Sequence, residues 1–117
     1  MKVTRIYPDT QGETHFEDVD IQLENFRGNI FRRSKPLKAS AMTFGAFGSA
    51  LNESWHTAGR KQAIIILSGE VELSVSDGSK RRFGPGHVLM MEDTTGKGHT
   101  TSSVGSGLRE EVWVALE

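Results

Sequence analysis

The sequence predicts an all-β fold, a barrel or sandwich of short strands. Three observations carry this. No long stretch places apolar residues at the three-and-four spacing of a helix. Short runs of β-branched and other apolar residues recur along the chain. Turn residues separate these runs, with 13 glycines spread over 117 residues.

In chain order, residues 3–7 read as a strand, ended by the turn signals Pro8-Asp9 and Gln11-Gly12. Residues 16–23 are acidic and partly extended. Residues 25–39 are basic and read as a loop with a short extended piece around Ile30-Phe31. Residues 41–47 form a strand whose small side chains permit close packing. Ala63-Ile64-Ile65-Ile66-Leu67 is an apolar run of strand length, closed by a tight turn at Ser68-Gly69. Residues 71–76 alternate, with Val71, Leu73 and Val75 on one face. Asp77-Gly78 is a strong hairpin signal. Residues 81–83 make a short strand that ends at Gly84-Pro85-Gly86, and residues 88–91 make another. Residues 108–116 close the chain, with Leu108, Val112, Val114 and Leu116 on one predicted face and Glu110 interrupting it. Closing such strands into a barrel protects their edges from pairing with other chains.

The length suits one domain, expected over residues 1–117, with a barrel core of about 41–116 and an N-terminal arm of 1–40. There is no cysteine, so neither disulfides nor thiolate chemistry enter. The formal net charge is −1 and the basic residues form only short clusters, Arg32-Arg33 and Lys80-Arg81-Arg82, so no nucleic-acid partner is expected. The N-terminal MKVTRIYPDT lacks the apolar core of a secretory leader, and the apolar run 63–67 is far too short to span a bilayer. No membrane partner is expected, and the expected location is cytoplasmic.

The chemistry-bearing residues fall in two places. In an extended strand His56, Ala58 and Gln62 share parity, which puts an imidazole and a carboxamide on one face. Further on, Gly96-Lys97-Gly98-His99 follows the polar run Glu92-Asp93-Thr94-Thr95, a loop of the kind that carries binding residues. Two imidazoles near an unperturbed pKa of about 6.5 can act as base and acid at neutral pH. Lys97, Arg60 and Lys61 are cations that could steady a carboxylate or phosphate, although loop cations usually face water. Phe44, Phe47, Trp55 and Phe83 read as core or pocket wall, and Met90-Met91 as core filling.

Taken together, these positions resemble the two motifs of the cupin superfamily. His56, Gln62 and Gly69 match the first His, the Glu-or-Gln position and the glycine of the first motif; Pro85, Gly86 and His99 match the second. The resemblance covers about residues 44–104. Two segments, Gly12-Glu13-Thr14-His15-Phe16 and Glu92 through His99, are further similar to a subgroup of small bacterial cupins. The resemblance implies a cupin double-stranded β-helix, or jelly-roll barrel, with a polar pocket for a small-molecule ligand built on His56, Gln62 and His99. It implies an enzyme of isomerase, lyase or dehydratase type, with those three residues catalytic. The alternatives are a metal-dependent enzyme and a non-catalytic binding module. For the metal reading, one divalent transition metal (Zn, Fe, Mn or Ni) would sit on His56, Gln62 and His99, with His15, Glu53 or His87 as a further ligand; a site with no metal is the other expectation. The departure is Ala58, which stands where the first motif has its second His. The resemblance also implies a homodimer, with residues 3–7 as a suitable edge, and puts His87 at a turn outside the pocket.

Overall fold

The computed structural model describes residues 1–28, 30–48 and 52–117. Twelve strands are found among them: β1 Lys2–Pro8, β2 Thr14–Asp20, β3 Glu24–Phe26, β4 Phe31–Arg33, β5 Ala39–Phe47, β6 Asn52–His56, β7 Gln62–Ser68, β8 Glu70–Val75, β9 Lys80–Phe83, β10 Val88–Met91, β11 His99–Val104 and β12 Arg109–Leu116. Among the described residues no helix is long and apolar enough to cross a membrane.

Ten of these strands form two sheets. The larger has the order β2-β1-β10-β7-β12-β5 and the smaller β6-β11-β8-β9, while β3 and β4 pair as a separate hairpin. That hairpin takes up the first part of the loop expected over 25–39, with β4 at the extended piece expected around Ile30-Phe31 and no strand over 34–38; Asn29 lies outside the described residues, as do residues 49–51 of the expected barrel core.

The core lies between the sheets. Ile6, Ile66, Leu89 and Met91 come from the larger sheet and Val71, Leu73, Val75 and Phe83 from the smaller, all almost completely buried. The alternation of Val71, Leu73 and Val75 therefore does what its period predicts. Each such aliphatic side chain contributes about 1.5–3 kcal/mol relative to exposure.

Two further features depart from the sequence expectations. Residues 3–7, expected as an edge in an arm outside the barrel, form the centre of β1, which lies inside the larger sheet between β2 and a parallel β10. Ile6 alternates inward with no exposed surface, and that burial is what draws the strand into the sheet. The edges of the larger sheet are β2 and β5. The second departure is the facing of β12. Leu108 is exposed, whereas Arg109 and Glu111 are buried and line the interior with Trp113. The β12–β7 ladder shifts register between Glu110 and Glu111, and β12 turns its charged parity inward.

Candidate functional site

The two histidines meet because their strands pair. His56 is the last residue of β6 and His99 the first of β11, and they are direct partners in the antiparallel ladder. Directly opposed residues bring their side chains into contact, and the ring centroids stand 4.4 Å apart. Gly98 makes the approach possible. Its φ is +77°, and a Cβ there would collide with the backbone carbonyl of His56.

Gln62 reaches the same space from a different strand. The chain turns between His56 and Gln62, so the two are not on one continuous strand; Gln62 opens β7. His56, Gln62 and His99 all line one cavity of about 170 Å³, together with Glu53, Ala58, Arg109, Glu111 and Trp113.

Each imidazole is anchored through Nδ1. The Nδ1 of His99 donates to Oδ2 of Asp93 at 2.5 Å, a contact in which the histidine is 4% exposed and the aspartate 0%. The Nδ1 of His56 donates to the carbonyl of Ser54 at 2.7 Å. A carbonyl and a carboxylate only accept, so each partner places the proton on Nδ1. In both rings Nδ1 is thereby occupied and Nε2 is the other ring nitrogen. Nε2 of His56 lies 3.3 Å from Oε2 of Glu53. Nε2 of His99 makes no hydrogen bond among the described residues. Asp93 is itself held where it is needed, because its carbonyl accepts the Ala58 amide at 3.0 Å.

Arg109 and Glu111 share the inward face of β12, with Nε and Oε1 3.0 Å apart in a buried ion pair. The other carboxylate oxygen, Oε2, accepts from the indole Nε1 of Trp113 at 2.8 Å. The guanidinium lies 4.7 Å from the centroid of the Phe47 ring. Gly69, with φ +75°, packs so closely on β12 that a Cβ would stand 2.8 Å from the Cα of Arg109. The motif glycine thus seats the arginine.

The remaining sequence candidates lie elsewhere. His15 is held between Asp9 at 2.7 Å and Asp77 at 2.8 Å, and it is not part of the cavity wall. Both contacts raise its pKa above the usual histidine value, that from Asp9 most, and the bond to His15 in turn lowers the carboxyl of Asp9. Lys97 pairs with Glu13 at 2.7 Å, which holds the ammonium above and the carboxyl below their ordinary ranges. Arg60 and Lys61 are exposed and outside the cavity wall. His87 closes the turn after β9, its Nδ1 2.9 Å from the Gly84 amide. Phe47 lines the cavity and Phe83 is buried, but Phe44 and Trp55 face outward and are exposed, against expectation.

As a metal centre the donor set does not fit. Ala58 lines the cavity where a third imidazole would be needed, and Gln62 brings no charge. Among the described residues no three or more His, Cys, Asp or Glu side chains are placed to hold a metal ion.

Asp93, Arg109 and Glu111 are the site residues that motif reasoning passes over. Asp93 stood in the polar run before His99. Arg109 and Glu111, two opposite charges two apart in a strand, were the available signal for a charged inner face.

Among solved structures, the chain is similar to the Schizosaccharomyces pombe Cnp3 cupin domain. The TM-score is 0.54 over 99% of this chain and 84% of that chain, with 12% identical residues. At that identity the likeness concerns the fold alone. No protein-family model and no curated protein sequence matches the chain.

Proposed function

From a chain that has the cupin fold, we propose an enzyme that moves a proton next to a carbonyl group of a small polar organic substrate, of isomerase, lyase or dehydratase type. One observation carries the reading: two imidazoles, each anchored through Nδ1, stand 4.4 Å apart in one cavity with Nε2 as the working atom of both. The cavity volume supports a small substrate. About 170 Å³ compares with the roughly 150 Å³ that encloses a six-carbon ring.

The roles follow from the partners. Neutral His99 takes a proton from the carbon beside the carbonyl through Nε2, and the buried Asp93 carboxylate stabilises the imidazolium that forms. The electron pair of the broken C–H bond moves onto the carbonyl oxygen. The Gln62 amide N–H donates to that oxygen as its charge develops. Acting as the acid, His56, 3.3 Å from Glu53, delivers a proton from Nε2 either to the opposite face of the same carbon, as the carbonyl re-forms, or to a β-hydroxyl that departs as water. His99 ends charged and His56 neutral, so one return transfer resets the pair. Acid and base catalysis of this kind contributes roughly 10²–10⁴-fold each.

The test is deuterium exchange. Small ketones, aldehydes and hydroxy acids incubated with the protein in D₂O should lose the C–H signal next to the carbonyl or carboxyl group. His99→Gln should abolish this and His56→Gln should slow it. Exchange that persists in the double variant overturns the proposal. Binding of a ligand without any exchange in the wild-type protein overturns it in favour of a carrier.

A further inference from the structure

We infer that Arg109 is a ligand-binding residue that grips the carboxylate of a small monocarboxylic acid within the cavity. The inference rests on the acid–base reading for where the acid reacts, but the binding site stands on its own geometry.

The starting point is an incomplete hydrogen-bond account. Arg109 is 2% exposed and lines the cavity, yet its Nε and Nη1 have no hydrogen-bond partner among the described residues. A guanidinium has five N–H donors and no acceptor. Burying it with donors unmet is unfavourable unless an acceptor arrives. Glu111 does not meet the need. Its Oε1 lies within ion-pair distance of Nε without hydrogen-bond geometry, and its Oε2 is occupied by the Trp113 indole. Trp113 thus fixes Glu111, Glu111 and the Phe47 ring fix the guanidinium, and donors remain for a further oxygen.

Three features select the ligand. The planar guanidinium fork matches a carboxylate. The volume of about 170 Å³ admits a group of roughly six to ten heavy atoms. Glu53 and Glu111 face the same space, so a second negative charge on the ligand would be repelled. A monocarboxylate fits all three, with its oxygens on Arg109 and its adjacent carbon toward His56 and His99. The cations that sequence alone offered for this task, Lys97, Arg60 and Lys61, do not line the cavity.

The experiment uses acetate, lactate, pyruvate and 2-hydroxybutanoate, each beside its amide, titrated into the whole protein and followed by NMR at the Arg109 Nε–H and the two imidazoles. At least one acid should shift the Arg109 resonance and bind about tenfold or more tightly than its amide, the loss expected when a charged hydrogen-bond partner is removed. Arg109→Gln together with Glu111→Gln, which avoids stranding a buried carboxylate, should erase that preference. An acid and its amide binding equally well, or no acid in the panel moving the Arg109 resonance, overturns the inference. Deuterium exchange on the same samples separates it from the acid–base reading. Arg109 shifts without exchange leave the carboxylate site and remove the enzyme. Exchange that is as fast on the amides as on the acids does the reverse.

Discussion

The carboxylate of Asp93, which has no exposed surface, lies 2.5 Å from the Nδ1 of His99, six residues further along the chain. Between them the chain turns through Gly96 and Gly98, and the pairing of β11 with β6 sets the imidazole beside His56. The contact does two things at once. It gives a fully buried carboxyl group a partner, and it leaves Nε2 as the nitrogen of His99 with no hydrogen bond among the described residues.

Asp93→Asn preserves the shape and removes the charge. We expect deuterium exchange to fall by about 10²–10⁴-fold, because the ring loses both its fixed tautomer and its counter-charge. The fold should persist, checked by an unchanged far-UV spectrum and a cooperative melt. Exchange at the wild-type rate would show that Asp93 is only structural.

Ala58 lines the cavity at the position where the resembled motif has its second histidine. Protein purified without a tag is expected to hold no stoichiometric transition metal by elemental analysis. Ala58→His should add a third imidazole to the cavity and raise zinc affinity by at least tenfold, at a cost of about 1–3 kcal/mol for overpacking a position that is 7% exposed. Wild-type protein that already binds zinc one-to-one through His56 and His99 would contradict this.

His15 should make stability depend on pH. It joins Asp9, which caps the turn before β2, to Asp77, which caps the β8–β9 turn, with the Tyr7 ring against it and the Lys97 charge near Asp9. Its pKa is higher folded than unfolded, so its contribution is complete below about pH 6.5 and is lost as pH rises through the folded value. The carboxyls of Asp9 and Asp77 are held low, and their share is lost only in acid, as pH falls through their folded values. The Tm of wild-type protein should therefore drop more between pH 6 and 9 than that of His15→Gln. Equal slopes would remove the clamp from the account.

The outward face of the larger sheet near its edge is unusually apolar. Met42 and Phe44 on the edge strand β5 are 60% and 72% exposed, with Leu67 of β7 also exposed. An open edge beside such a face favours association, and we expect a homodimer through β5. Met42→Glu with Phe44→Glu should give a monomer by sedimentation velocity under conditions where the wild-type protein is a dimer. A wild-type monomer at every concentration tested would reject it.

Much of the candidate site was legible in the residues themselves. His56, Gln62 and His99 stand at motif spacings, and all three line the cavity. Arg109 and Glu111 were not legible, for a physical reason. On β12 the outward parity is the apolar one, with Val112, Val114 and Leu116 facing away from the cavity, whereas the inward parity carries the charges. An alternation rule that sends apolar residues inward reads such a strand backwards.

By itself the sequence determined the strand content, the alternating core of Val71, Leu73 and Val75, and the identity of the two imidazoles. Those depend on local periodicity, turn chemistry and residue type, all of which act over a few neighbours. Tertiary structure alone decided that β1 lies inside the sheet, that Asp93 stands behind His99, and that Arg109 faces the cavity with donors unmet. Each of these is a matter of register or facing between strands distant in the chain. A one-residue change of register reverses which side chains meet the interior.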